Sequence, residues 1–227
     1  MTRDFCICTG WCASATGHSN PKRSKLIDKP EWLLDHWGPY IRRFVNGSMN
    51  VFVYVSNCDI PSKQEEWWQD LHAFYYIDTL PYHHDCWAGH LAGAMYSYLN
   101  NMDFVYIEQD CFVYRLDKSI QWARDQQAKV CFNLGDPYCY APGWAATSFV
   151  YVSCEYLPTY INRMMQSGIK DNGGKPLVHE VMFGHLYKED YTNWPFGYDR
   201  KRPIDWTLPM FYAQQLSDEE IERFQAL

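Results

Sequence analysis

Apolar runs of strand length alternate with helix-length stretches along the first half of this chain, and that alternation restricts the fold more than any other feature. Asp4 to Cys12, Val51 to Val55, Ala73 to Ile77 and Phe104 to Ile107 read as strands. Between them, Trp32, Leu33, Trp37, Ile41 and Phe44 fall at helical spacing within a helix expected from Pro30 to Val45. Gly38-Pro39 predicts a kink in it or a break into two short helices, and Asn46-Gly47 marks its end. A polar helix is expected from Gln64 to Gln69, and a loop from Pro81 to Cys86. Positions 87, 91, 94, 95 and 98 then carry a helix from Trp87 to Leu99, whose small residues Ala88, Gly89, Ala92 and Gly93 permit close approach. Strands separated by crossing helices build parallel sheets, so the expected class is α/β, a mainly parallel mixed sheet flanked by helices.

The second half is less regular. Helices are expected over Leu116 to Ala128, Glu155 to Met165 and His179 to Tyr187, with strands over Lys129 to Leu134 and Ala146 to Ser153. Asn172-Gly173-Gly174 reads as a turn, and the stretch from Asn193 to Met210 as irregular. Ser217 followed by Glu220 forms a capping box, opening a terminal helix through Phe224.

The 227 residues are 47% hydrophobic, which excludes disorder and fits one domain spanning 1–227. No apolar run reaches the roughly 18–20 residues needed to cross a bilayer. Met1-Thr2-Arg3-Asp4 leads straight into a strand, so a cytoplasmic protein without a secretory signal is expected. Nine cysteines without a CxxC pair argue for reduced, buried thiols rather than a zinc knuckle. The histidine-rich loop His83-His84-Asp85-Cys86, with His90 beyond it, offers nitrogen, oxygen and sulfur, but its spacing matches no usual zinc pattern.

A net charge of −7 argues against general adhesion to nucleic acid or anionic membrane. The positive charge is nevertheless clumped, in Lys22, Arg23 and Lys25 and again in Arg200, Lys201 and Arg202, as suits an anionic ligand. Aromatic residues reach 18%, and their flat faces suit core packing as well as stacking on bases or sugars. The absence of GxGxxG, a Walker loop and a GxSxG elbow argues against a dehydrogenase, a P-loop NTPase and an α/β-hydrolase.

Chemistry concentrates in Phe104-Val105-Tyr106-Ile107-Glu108-Gln109-Asp110, an apolar strand tipped by two carboxylates. Side chains two apart on a strand share a face, so Glu108 and Asp110 should stand side by side. The carboxyl end of a strand is where open α/β sheets form their ligand crevice. Two neighbouring buried carboxylates repel, and a divalent metal bridged to phosphate oxygens removes that cost.

Taken with the order of elements before it, this run resembles the nucleotide-sugar-binding half of GT-A-type glycosyltransferases, whose Rossmann-like fold places an Asp-x-Asp motif at the end of such a strand. The resemblance covers roughly residues 4 to 185 in element order, with Glu108 in place of the family's first Asp. It implies a donor-binding part over about 1–115 and an acceptor and donor-sugar part over about 116–227. It implies Mn²⁺ or Mg²⁺ at Asp110 with Glu108 assisting, and a UDP- or GDP-sugar donor. Thr9, Gly10 and Trp11 would meet the base and ribose, Asp59 or Asn57 would read the base, and His90 would face the ribose or diphosphate. Gly143 and Trp144, within Tyr140 to Ser148, would belong to the turn that closes over the donor sugar. Glu180 would be the base that activates the acceptor, and Arg200 and Arg202 would neutralise the departing diphosphate. The acceptor would be a glycan or lipid-linked saccharide, or a hydroxymethylated DNA base of the kind that viral members of such families modify. A two-metal phosphodiester hydrolase and a non-catalytic sugar-binding module are the alternatives.

Overall fold

The computed structural model describes residues 4–11, 24–29, 32–44, 51–56, 73–77, 82–135, 144–166, 179–197 and 202–227. Seven strands form one mixed sheet: β1 (Phe5–Trp11), β2 (Val51–Ser56), β3 (Ala73–Ile77), β4 (Asp103–Ile107), β6 (Val130–Leu134), β7 (Ala145–Val152) and β8 (Tyr191–Thr192). A separate two-stranded ribbon pairs β5 (Cys111–Tyr114) with β9 (Phe211–Gln214). The order across the large sheet is β3-β2-β1-β4-β7-β6-β8. β3, β2, β1 and β4 are mutually parallel, as the strand–helix alternation requires, whereas β7 runs against both β4 and β6. Strand direction carries no signature in a single sequence, so β7 could be placed but not oriented beforehand.

Alternation along the strands splits the core in two. Ile7, Val105, Ile107, Cys131, Phe149 and Tyr151 face one side. Cys6, Cys8, Phe104, Tyr106, Phe132 and Val150 face the other. Covering the first face are α1 (Gly38–Arg42), α3 (Leu116–Asp125), α6 (Asp218–Gln225) and the β5–β9 ribbon. Over the second face lie α2 (Tyr82–Leu99), α4 (Leu157–Gln166) and α5 (His179–Tyr187). With both faces covered, the strands have no polar side to show, which is why β4 and β7 are buried end to end.

Close packing sets where α2 sits. Gly93 lies on Cys8 and Phe104, where an added Cβ would stand 2.8 Å from the Cys8 Sγ and 2.9 Å from the Phe104 ring. The small-residue face read from the sequence is therefore the face that reaches the sheet. α2 begins at Tyr82, so Tyr82 to Cys86 are helical, not a loop. Just before Gly38-Pro39 the chain widens into a π-helical turn over Leu33–Trp37. Pro39 has no N–H to give to the carbonyl four residues back, and a wider turn is one way to absorb that loss.

The capping box forms as read: Ser217 Oγ accepts from the Glu220 N–H, and the Glu220 carboxylate accepts from the Ser217 N–H. β7 matches the strand expected over Ala146 to Ser153 to within a residue at each end, so Ala145 to Ser148, which the turn over Tyr140 to Ser148 also took in, are strand. The Gln64 to Gln69 helix and the Asn172-Gly173-Gly174 turn lie outside the described residues. Among the described residues, no helix is long and apolar enough to cross a membrane.

Candidate active site

β1 and β4 pair in parallel as far as Cys8 and Tyr106, so Gly10 and Glu108 each follow that last pair by two residues at the carboxyl ends of their strands. On the other side of β4, the Glu108 N–H donates to the Ser148 carbonyl at 2.9 Å. Glu108 and Ser148 therefore adjoin at one edge of the sheet, where β1 also ends. A side chain at position 10 would crowd this edge, because a Cβ there would sit 3.0 Å from the Tyr106 hydroxyl. Thr9 is buried beneath, its hydroxyl donating to the Gly10 carbonyl at 3.3 Å.

β4 ends at Ile107, and Glu108 to Asp110 form a tight turn into β5, closed by the Cys111 N–H donating to the Glu108 carbonyl at 2.9 Å. The two carboxylates thus converge through a turn, not through the strand alternation expected of positions 108 and 110. They meet at a residue that the sequence did not single out. The Gln214 Nε2 donates to Asp110 Oδ1 at 3.0 Å and also to Glu108 Oε2. Two oxygens sharing one nitrogen lie within about 6 Å of each other. Asp110 is only 5% exposed.

The turn is held from two sides. Trp32 Nε1 donates to the Gln109 carbonyl at 2.8 Å, and the Gln215 N–H donates to the Asp110 carbonyl at 3.2 Å. Tyr40 steadies the adjoining strand, donating its hydroxyl to the Val113 carbonyl at 2.7 Å and accepting from the Val113 N–H at 2.9 Å. The helix around Gly38 is thus a clamp on the acidic turn.

Arg202 lies behind Gln214. Its guanidinium donates to the Gln214 carbonyl at 3.0 Å and grips both oxygens of Glu220. In place of the diphosphate role expected for Arg202, the structure shows an internal one, with Glu220 and the Gln214 and Gln215 carbonyls accepting from its Nε and Nη2. Nearby, Gly197 adopts φ +150° against Asn133 and Tyr212, where a Cβ would fall 2.5 Å from the Tyr212 ring. The run from Phe196 to Arg202 is thereby fixed at both of its described ends.

His90 is corrected more fully. Its ring is completely buried, stacked on Tyr106 at 3.6 Å, with Nδ1 sharing a hydrogen bond with the Tyr160 hydroxyl at 3.1 Å. It belongs to the core between α2 and the sheet and lines no open pocket. Burial, and then the neighbouring His179, holds its imidazole well below the ordinary histidine range. His179 is buried too, packing edge-on to Trp87 with centroids 5.7 Å apart, and burial lowers it to about 4. Both rings are accordingly neutral at physiological pH.

That Trp87–His179 contact brings the start of α5 to the early turns of α2. α2 crosses between the parallel strands β3 and β4, so its early turns lie at the same sheet edge as Glu108. Glu180, half-buried in the first turn of α5, makes no hydrogen bond or ion pair among the described residues. Trp144 is half-buried at the entry to β7, its carbonyl accepting from the Gly135 N–H at 3.1 Å. Asp59, Gly143 and Arg200 lie outside the described residues, as do the side chains of Trp11, His83, His84, Asp85 and Cys86. Among the described residues, no three His, Cys, Asp or Glu side chains form a ready-made metal cluster.

No family model and no curated protein matches this chain. Solved structures of similar course do exist. One is a glycosyltransferase involved in the glycosylation of the major capsid of PBCV-1, at 12% identity over 98% of this chain and 99% of that one, with a TM-score of 0.45. Another is mouse xyloside xylosyltransferase 1, at 6% identity over 87% and 88%, with a TM-score of 0.49. A third is the galactosyltransferase LgtC, at 10% identity over 87% and 90%, with a TM-score of 0.47. Likeness this distant assigns no activity and no residue role to the chain.

Proposed function

We propose that this chain is a divalent-metal-dependent glycosyltransferase, moving a sugar from a nucleoside-diphosphate donor to an acceptor hydroxyl. One observation carries the reading: two carboxylates, one of them buried, converge at the carboxyl end of a strand in an α/β sheet. Such a pair suits Mn²⁺ or Mg²⁺, which typically takes one or two carboxylates and completes its shell with phosphate oxygens and water.

The bound cation would neutralise the leaving diphosphate. Glu108 and Asp110 hold the charge that fixes it, while Thr9, Gly10, Trp11 and Asp59 would seat the nucleoside of a UDP- or GDP-sugar. Gly143 and Trp144 would close over the sugar, and Arg200 would meet the diphosphate. Glu180, at a helix start and free of other partners among the described residues, would take the proton of the acceptor hydroxyl as it attacks. A glycan acceptor suits the acidic whole; a hydroxymethylated DNA base would require a localised basic face.

Thermal denaturation with UDP and GDP, each with and without Mn²⁺, tests the reading. Stabilisation that needs both nucleotide and metal is expected, and Asp110→Asn should abolish it. Nucleotide binding that is indifferent to chelator and to Asp110→Asn would overturn the assignment.

A further inference from the structure

We propose that Gln214 is a placeholder for the cation: its amide holds Glu108 and Asp110 together when the site is empty of metal and yields when metal binds. The inference rests on the metal-site reading above and adds to it a residue from the far end of the chain. Three observations support it.

First, the amide nitrogen stands where a cation between the two acids would stand, donating one hydrogen to each. The other amide orientation would point an oxygen at two carboxylates, so only the nitrogen-inward one is satisfied. Second, the amide is neutral. It ties the two acids together without cancelling their charge, which is the task a divalent ion performs better. Third, the Gln214 backbone is held independently of its side chain. Arg202 grips the Gln214 and Gln215 carbonyls and pairs with Glu220, whose carboxylate also caps α6. The side chain can therefore leave the acids while β9 keeps its place.

A competition follows. Metal must break two charge-assisted hydrogen bonds of Gln214 before it gains the carboxylates. Removing the amide should therefore tighten metal binding and weaken the metal-free protein. One hydrogen bond to a charged group is worth roughly a factor of ten or more in an equilibrium.

The full chain, stripped with chelator and desalted, would be titrated with Mn²⁺ alone, following free Mn²⁺ by its paramagnetic resonance and the melting temperature in parallel. Gln214→Met keeps the length and loses the donors. It should melt lower without metal, bind Mn²⁺ about tenfold tighter than the parent, and gain more in melting temperature on Mn²⁺ addition. Gln214→Asn, one methylene too short to span both acids, should shift the same way and serves if the methionine variant does not fold. Parental binding with no tightening in either variant, or weaker binding, overturns the placeholder role alone. Absence of Mn²⁺ binding in the parent and in both variants overturns the metal site itself, and the placeholder with it.

Discussion

Asp103, at the amino end of β4, should be among the costliest single side chains to change. Its carboxylate is 3% exposed and accepts from Arg124 at 2.9 Å, from the Tyr151 hydroxyl at 3.0 Å and from the Cys154 N–H at 2.9 Å. Burial, and then Asp103 itself, pushes the Tyr151 hydroxyl above the ordinary phenol range, so it remains a donor. Asp103→Asn turns an acceptor-only group into one that must aim a donor at Arg124, Tyr151 or Cys154, and it removes the negative charge paired with the Arg124 guanidinium at 2.9 Å. Breaking one side of a buried ion pair costs about 3–5 kcal/mol. A hollow of ≈ 740 Å³, lined by Arg124, Lys129 and Tyr156 among others, admits water to Arg124, which favours the lower end, about 3 kcal/mol. With a urea slope of about 3 kcal/mol per molar for a chain of this size, the midpoint should fall by about 1 M. The slope itself should not change. Adding Arg124→Gln should recover part of the loss, because the cation that faced Asp103 goes with it. A midpoint shift below roughly 0.3 M, or no recovery in the double variant, would refute the reasoning.

Gly93→Ala gains about 1 kcal/mol of helix propensity, yet its new methyl meets Cys8 and Phe104 inside 3 Å, a clash worth about 1–3 kcal/mol. A net loss near 1 kcal/mol, read as a melting temperature lower by about 2–4 °C, is expected. His90 and His179 fold neutral but are protonated in the unfolded chain below about pH 6.5. Their contribution therefore weakens as pH falls from there toward 4; the groups facing them are Tyr160, Tyr106 and each other. His179 alone should cost about 2 kcal/mol by pH 5, measured as the pH-dependent difference in urea midpoint between parent and His179→Phe; parallel curves would count against it. Ser217→Ala should cost about 1 kcal/mol through loss of the cap on α6, and equal midpoints would show that the cap contributes nothing.

Much of this frame was legible because its signals are local. β1 and β4 are buried on both faces and so appear as unbroken apolar runs, and the Ser217–Glu220 box lies within four residues. The position of the acid pair was readable for the same reason. What brings the pair together was not. Gln214 carries no motif, and it reaches Glu108 and Asp110 only because β9 pairs with β5 across about a hundred residues of sequence. Arg202 misled in a related way: a basic run suggests an anionic ligand, whereas its partner Glu220 arrives from a helix eighteen positions on. His90 looked like a ligand on a small-residue helix face. Those small residues bring the helix so close to the sheet that the ring is sealed against Tyr106.

The reversed direction of β7 has a bearing on how such a protein could diversify. A strand that ran with its neighbours would send the chain back across the sheet before it began; this one instead leaves β6 and re-enters at the rim where the acids stand. The Gly135 N–H donates to the Trp144 carbonyl there, so the end of β6 and the entry to β7 are tied directly to each other at that rim. New recognition preferences could thus be acquired at that rim while the scaffold beneath stays as it is.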